Sequence, residues 1–285
     1  MSERQAELAA LRVAARAYVE WEAELSGQGI PAFTGAPVAR EAAPAPFVPE
    51  PPAAEPPAPV MAEAPPPSPA LVVPNAPQPV VPAPPAASPM PAPAPMAAAD
   101  KHARLAQLAD EARGCTRCAL AKGRTQTVFS RGSADASLMF IGEGPGFEED
   151  KSGLPFVGPA GQLLDKMIAA MGFGRDDVYV CNVVKCRPPG NRTPLPEEGR
   201  ACAPFLEGQL EAVRPRLIVA LGRCASENLG LAAPGAGGWR GRWGRFRGVE
   251  VMPTYHPAFL LRSPQFKRDV WNDLQKVMQR LKEGP

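Results

Sequence analysis

The sequence predicts an α/β domain with three layers, α/β/α, in which helices cover both faces of a central, mainly parallel sheet of four strands. Two observations lead to this fold class. Four short, continuously apolar runs lie between residues 138 and 256, and each of the first three is followed by a segment with helical spacing of its apolar residues. Strands of a parallel sheet are buried on both faces, so they are apolar throughout rather than alternating.

In the first third of the chain, the sequence predicts a helix followed by a linker. Residues 1–30 open with a capping box at Ser2 and Gln5 and carry apolar residues along one stripe, as an amphipathic helix does. This helix either docks on a partner protein or folds back on the main domain. Residues 31–98 hold 24 of the 38 prolines, which favours an extended, disordered linker without a core. Residues 99–285 then make one domain of ordinary size.

The strands and helices of that domain follow one another in alternation. The predicted strands are LMFIGE at 138–143, VYVCNVVK at 178–185, LIVALG at 217–222 and VEVMPTYH at 249–256. The helical segments lie around 163–171, 205–213 and 225–229. Ligands of open α/β sheets bind beyond the carboxyl ends of the strands. Glu143, Asn182 and His256 lie at three such ends, so we expect the site there.

Composition and charge exclude several functional classes. The net charge of +2 is too small for a wholly basic nucleic-acid binder, although WRGRWGRFRG at 239–248 concentrates four arginines and three aromatics. No apolar run is long enough to span a bilayer, and the N-terminus has charges where a signal sequence has an apolar core. We therefore expect a cytoplasmic protein with no membrane partner.

The cysteines form two pairs. Cys115 and Cys118 are spaced C-x2-C, and Cys186 and Cys202 are spaced C-x15-C. In a reducing compartment such clusters indicate metal or redox chemistry rather than disulfides. Four thiolates from two distant segments can ligate an iron-sulfur cluster or close a zinc site, and the wide second spacing favours the first; unrelated buried cysteines are the remaining interpretation. Cys181 and Cys224 are predicted to be small core residues.

Three polar residues stand out at the strand ends. The GEGPG turn at 142–146 projects Glu143 into the crevice or is capped by it, and a carboxylate there argues against a phosphate-binding loop. Asn182 has apolar neighbours, so its buried amide needs partners, and it carries the donors and acceptor that can read the edge of a base. His256 is one of two histidines and is either structural or part of the site.

Four motifs of the sequence together resemble those of the family 4 uracil-DNA glycosylases, which carry a 4Fe-4S cluster. The segments are GEGPGFEEDKSGLPFVGPAGQLL, CNVVKCRPPGNRTP, the cysteine quartet and PTYHPAFLLR. The resemblance covers about residues 103–282. It implies a monomeric enzyme that flips uracil out of single- or double-stranded DNA and hydrolyses the N-glycosidic bond, which starts base excision repair. It also implies that the four paired cysteines hold a structural 4Fe-4S cluster.

The resemblance gives each candidate residue a role. Phe156 would stack on the uracil, Asn182 would pair with its O4 and N3–H, and His256 would hydrogen-bond O2 as charge builds on the departing base. Glu143 would position water and stabilise the sugar cation, with Asp150 as an auxiliary carboxylate. The other substrate-binding residues would be Gly142, Gly144 and Glu149. The last of these would lie near C5 and disfavour the methyl group of thymine.

DNA contacts are expected from two segments. In PAFLLR, Leu260 or Leu261 would fill the gap left by the flipped base, and Arg262 would contact phosphate. The arginines of the second segment either add affinity for the DNA backbone or lie on an ordinary solvated hairpin. They are Arg240, Arg242, Arg245 and Arg247.

The main alternative is a non-catalytic iron-sulfur DNA-binding module associated with a polymerase or repair complex. The joint presence of Glu143, Phe156, Asn182 and His256 argues against it. A related group traps the abasic sugar through a histidine in an insertion after the second strand. The segment CRPPGNRTPLPEE has neither feature, so no covalent trapping is expected.

Overall fold

The computed structural model describes residues 97–232 and 237–283. The predicted N-terminal helix and nearly all of the predicted linker lie outside these residues. The helices are α1 Ala98–Arg113, α2 Phe147–Ser152, α3 Pro159–Ala170, α4 Pro196–Val213, α5 Arg223–Asn228, α6 Pro257–Arg262 and α7 Lys267–Lys282. The strands are β1 Ser130–Gly132, β2 Leu138–Gly142, β3 Tyr179–Asn182, β4 Leu217–Leu221, β5 Gly244–Phe246 and β6 Val249–Thr254. Short 3₁₀ turns lie at Ala119–Lys122, Pro189–Asn191 and Pro264–Phe266.

The strands form one mixed sheet in the order β1-β3-β2-β4-β6-β5. The four inner strands are parallel, and β1 and β5 pair antiparallel at the two edges. The register places Gly142 beside Asn182 on the two strands β2 and β3. The carboxyl ends of all four parallel strands therefore open on the same edge of the sheet.

Helices cover both faces, so the predicted three layers are confirmed. Met139 and Ile141 of β2 pack into one buried cluster, which includes Leu206 of α4. Leu138 and Phe140, which alternate with them, pack into a second cluster formed with α3, α6 and α7. The alternation of a strand thus gives each face its own core, and both cores are apolar because the sheet is buried between helices.

The predicted number of strands was wrong, because the sheet has six strands and not four. All four predicted runs are strands, and they are the four parallel ones. The two additional strands, Ser130–Gly132 and Gly244–Phe246, are three residues long and contain little apolar sequence. Such edge strands are held by pairing with a neighbour and leave no pattern of their own. Among the described helices, none has the length and apolar character needed to cross a membrane.

Candidate active site

A cavity of about 940 Å³ opens at the carboxyl edge of the parallel strands. It gathers residues from β3, from the turn after β2, from the loop before α3, and from the segments after β3, β4 and β6. The predicted site residues that line it are Glu143, Gly144, Glu149, Phe156, Asn182, His256 and Arg262. The topology therefore brings together residues that lie more than a hundred positions apart in the sequence.

Asn182 lies at the floor of this cavity. Its side chain is 1% exposed, and Oδ1 has no hydrogen-bond partner among the described residues. Gly142 lies beside it, where a Cβ atom would stand 2.4 Å from Asn182 Oδ1 and 2.5 Å from the Phe156 ring. Only glycine leaves room there for both side chains. Because a buried amide oxygen without a partner is costly, this atom points to a ligand that donates a hydrogen bond.

Phe156 forms an aromatic wall of the cavity. Its backbone has φ +56°, which a residue with a Cβ atom rarely adopts. The preceding carbonyl, of Pro155, accepts a hydrogen bond from Arg131 Nε at 3.2 Å. The Phe156 ring lies 5.7 Å from the His256 ring, with 30° between their planes. The strain therefore lies in the backbone that carries the ring, and the surrounding structure holds this conformation in place.

Glu149 fixes the two loops that shape the cavity. Its Oε1 accepts hydrogen bonds from the amides of Val157 and Gly158, both at 2.9 Å. Its Oε2 accepts from the amide of Gly146 at 3.1 Å. The carboxylate therefore ties the turn after β2 to the residues that follow Phe156, a structural role that the sequence did not predict.

His256 stands directly before α6. Its Nδ1 accepts a hydrogen bond from the amide of Ala258 at 3.1 Å, so the proton of the neutral ring is on Nε2. Burial lowers the pKa of His256 to about 4, and the positive charge of Arg262 acts in the same direction. The ring is thus a neutral hydrogen-bond donor near physiological pH.

Glu143 carries a carboxyl group in a half-buried position. Burial raises its pKa, the charge of Glu227 raises it further, and a hydrogen bond with the Thr193 side chain opposes the rise. The Thr193 carbonyl accepts a hydrogen bond from Arg192 at 3.0 Å, and the same guanidinium binds both carboxylate oxygens of Glu198 at 2.7 and 2.8 Å. The Glu143 carboxyl group therefore lies at the cavity wall, where a hydrogen bond with Thr193 of the loop after β3 supports it.

The structure does not bring Asp150 to the cavity, which corrects its predicted auxiliary role. It is 4% exposed, and its two oxygens accept hydrogen bonds from the amide of Thr125 at 2.9 and 3.2 Å. Glu149, its neighbour in α2, does line the cavity. Adjacent residues of a helix point about 100° apart, so both carboxylates cannot face the same space.

The structure places the two leucines that were predicted to fill the gap left by the flipped base in different environments. Leu260 is 0% exposed and belongs to the core between α3, α6 and α7, so a DNA contact by this residue is not supported. Leu261 is 43% exposed. Arg262 ends α6 at the cavity wall. Of the three DNA contacts predicted in this segment, Leu261 and Arg262 are therefore the exposed ones.

The arginines around β5 divide in the same way. Arg240 binds the buried carboxylate of Asp273 at 2.7 Å, and Arg247 pairs with Glu207 at 2.5 Å. Both have internal partners. Arg242 and Arg245 are exposed and face solvent, so only these two remain candidates for a phosphate contact.

The four paired cysteines surround a second, small cleft. Arg124 lies 3.3 Å from Cys186 Sγ, and the Lys185 amide lies 3.3 Å from Cys202 Sγ, each as a donor. Such donors suit anionic sulfur, so the donor set fits a thiolate-bound cluster. Within residues 97–232 and 237–283, no group of three or more His, Cys, Asp or Glu side chains is arranged to hold a metal ion. The cysteines are thus brought together as a set, but not to ligand geometry.

Lys185 joins this cleft to the cavity. Its ammonium group is buried and donates to the Asn182 carbonyl at 2.7 Å and to Gln209 Oε1 at 2.6 Å. The same residue lines the cysteine cleft. The Lys185 side chain, which borders the cysteine cleft, therefore holds the backbone of the segment that carries Asn182.

Sequence reasoning missed several residues of the cavity wall. They include Phe147, Thr193, Glu227, Trp239 and Tyr255. Thr193 lies inside the CRPPGNRTP segment, Phe147 inside GEGPGFEED and Tyr255 inside PTYHPAFLLR, and these positions were the available signals. Cys224 is buried as predicted, but it also lines the cavity. Glu227 lies in the short helix α5, where nothing in the sequence marks it.

Comparisons with known proteins agree with this architecture. The family model described as the uracil DNA glycosylase superfamily matches residues 129–275. The type-4 uracil-DNA glycosylase of Thermotoga maritima is 42% identical over 186 residues, which are 62% of this chain and 94% of that protein. The type-4 proteins of Saccharolobus solfataricus and Archaeoglobus fulgidus are 41% and 44% identical, over 62% and 59% of this chain and 87% and 88% of their own. The chain therefore belongs to the uracil-DNA glycosylase superfamily, and within it to the type-4 uracil-DNA glycosylases.

Proposed function

We propose that this protein is a uracil-DNA glycosylase, which takes uracil out of DNA and hydrolyses the bond between N1 of the base and C1′ of the sugar. One observation carries the proposal beyond family membership. Among the residues that the structure describes, the buried Asn182 Oδ1 faces the cavity without a hydrogen-bond partner, beside an aromatic ring and a neutral histidine. A base that is chemically processed must leave the stack, and such a pocket is what receives it.

Base selection rests on Asn182 and Phe156. The ring of Phe156 supplies a face on which a planar base stacks. Asn182 Oδ1 accepts from N3–H of uracil, and Nδ2 donates to O4. Cytosine presents an acceptor at N3 and a donor at C4, so both bonds would be lost and the buried amide would be left unpaired.

Glu149 has a different part in selection from the one expected. Its three backbone hydrogen bonds hold the loop beside Phe156 and the turn beside Gly146. We propose that this bracing limits the space near C5 and disfavours the methyl group of thymine. Gly142 and Gly144 complete the pocket, because a side chain at either would collide with Asn182, Phe156 or Val184.

His256 and Glu143 would promote cleavage of the bond between C1′ and N1 of the flipped nucleotide. The electron pair of the C1′–N1 bond moves to uracil, and the His256 Nε2–H donates to O2 where negative charge develops. The Glu143 carboxylate stabilises the cationic sugar and orients a water molecule. The water oxygen bonds to C1′ and its proton passes to the Glu143 carboxylate. Proton transfer from Glu143 to the uracil anion through solvent then restores both groups, which leaves an abasic sugar and neutral uracil.

The same surface binds the DNA. Leu261, exposed next to the cavity, fills the space that the uracil leaves, and Arg262 contacts a phosphate. The four cysteines around the second cleft, Cys115, Cys118, Cys186 and Cys202, would hold a 4Fe-4S cluster. Such a cluster would have a structural role, because hydrolysis of this bond transfers no electron. It would tie the segment after α1 to β3 and α4.

Incubation with uracil-containing oligonucleotides tests the function. Single- and double-stranded substrates with one uracil are expected to break at that position after alkaline treatment, while matched strands with thymine stay intact. If protein that contains its iron leaves every uracil strand intact, the enzyme proposal is wrong. The non-catalytic DNA-binding alternative would then account for retained binding.

We expect activity to fall in acid as Glu143 is protonated. Its pKa lies above the ordinary carboxyl value, and the carboxylate is the active form, so kcat/KM decreases as the pH falls through that raised pKa. His256 titrates at about 4 and stays neutral through this range. Glu227→Gln removes a neighbouring negative charge and is expected to move the acid limb to lower pH. A limb that is unmoved in Glu227→Gln and still present in Glu143→Gln would contradict this assignment.

We expect Cys186→Ala to lose iron and stability together. Removal of one of four cluster ligands should abolish the brown absorbance of the cluster. It should also lower the free energy of unfolding by about 4 kcal/mol or more, because the binding free energy of the cofactor stabilises the folded state. Iron content and chemical denaturation measure the two effects. Cys181→Ala, a buried cysteine outside the cleft, is the control and should keep its iron. Full iron content in Cys186→Ala would refute the ligand assignment.

A further inference from the structure

Phe147 is an exposed aromatic residue at the cavity wall that the proposed mechanism leaves unused. It begins α2 directly after the GEGPG turn, and 56% of it is exposed to solvent. It is also one of the residues that line the cavity containing Asn182 and His256. A single exposed apolar residue is ordinary, but one placed at the entrance of a nucleotide-sized cavity is in position to contact what enters.

A cation is fixed beside this ring. The guanidinium carbon of Arg187 lies 5.1 Å from the centroid of the Phe147 ring. Arg187 Nε donates to Asn191 Oδ1 at 2.7 Å, and Asn191 itself lines the cavity. The guanidinium is therefore held in place, and the exposure of the ring leaves another part of its surface open. An aromatic face next to a cation is the combination with which proteins bind unpaired bases and the phosphates between them.

We infer that Phe147 is a stacking platform for the unpaired base that neighbours the flipped uracil on the same strand, with Arg187 at the intervening phosphate. The inference rests on the proposed glycosylase function and extends it to the substrate strand. Bases next to the uracil in a duplex keep their stacking and pairing within the helix. Bases of a single strand have free faces, so Phe147 contributes mainly to binding of single-stranded DNA.

The test compares Phe147→Ala with Leu154→Ala. Leu154 is 47% exposed and lies outside the cavity wall, so it is a matched exposed apolar residue. The probe is a single strand in which 2-aminopurine flanks 2′-fluoro-2′-deoxyuridine, a uracil nucleotide that resists hydrolysis. Wild-type protein and Leu154→Ala should quench the 2-aminopurine fluorescence. Phe147→Ala should not, and its Kd for the single strand should rise on the order of tenfold, as loss of one stacked base predicts.

The outcomes separate this inference from the proposed function. Saturating kcat on ordinary uracil DNA should stay within about twofold in Phe147→Ala, because the ring positions a neighbouring base and not the reacting atoms. If wild-type protein cleaves uracil DNA but Phe147→Ala binds and quenches as Leu154→Ala does, the platform is refuted and the glycosylase stands. Equal weakening on duplex and single strands would refute the preference for unpaired bases. Absence of cleavage by wild-type protein would refute the function itself.

Discussion

Asn182→Ala is expected to lower kcat/KM for uracil-containing DNA by about three orders of magnitude. Asn182 is 1% exposed, and its Oδ1 has no partner in the described part of the chain, so this acceptor is available to the substrate. Sites that recognise a ligand through buried hydrogen bonds lose large factors when one partner is removed, because the remaining polar groups stay unpaired. Single-turnover release of uracil from a single-stranded oligonucleotide measures the effect.

The matched control for this variant is Asn228→Ala. Asn228 is a second asparagine close to the carboxyl edge of the sheet, but it is not part of the cavity wall. Its Nδ2 donates to the Cys224 carbonyl at 2.9 Å, a contact within α5. We expect its activity to remain within a few-fold of wild type. If Asn182→Ala stays within tenfold of wild type while both variants keep their iron, Asn182 does not read the base.

His256→Ala is expected to lower kcat by about a hundredfold to a thousandfold, with a smaller effect on KM. The ring is held by the Ala258 amide with its proton on Nε2, so it can donate to a developing oxyanion without reorganising. Removal of one such donor costs about this much in other enzymes. The effect should appear in the chemical step, because the donor contributes most when charge has formed on the uracil.

His102→Ala is the control, because His102 is the other histidine and lies in α1. Its kcat should equal that of wild type. Single-turnover rates at saturating enzyme separate chemistry from binding for both variants. An increase in KM with unchanged kcat in His256→Ala would mean that the ring binds the substrate but does not stabilise the departing base.

The sequence predicted those parts of the fold that depend on continuous apolar burial. The four parallel strands and their covering helices follow from that pattern, and so does the edge where Glu143, Asn182 and His256 meet. The strands Ser130–Gly132 and Gly244–Phe246 could not be predicted, because their stability comes from pairing with β3 and β6 and not from their own residues.

The sequence also could not show which of two adjacent helical residues faces the cavity. Glu149 and Asp150 are adjacent in α2, yet Glu149 braces the cavity and Asp150 accepts a hydrogen bond from the Thr125 amide away from the cavity wall. Leu260 and Leu261 separate into core and surface in the same way. Sequence spacing shows that such residues diverge, but the rotation of a helix about its axis is set by packing, as that of α6 is by α3 and α7.

Release of free base from three matched oligonucleotides tests the central claim most directly. The strands differ only in carrying uracil, cytosine or thymine at one position, and mass spectrometry identifies the released base. The structure predicts that wild-type protein releases uracil, leaves cytosine and thymine in place, and loses uracil release in Asn182→Ala. Release of cytosine or thymine at a comparable rate, or no release of uracil by iron-containing protein, would contradict the account.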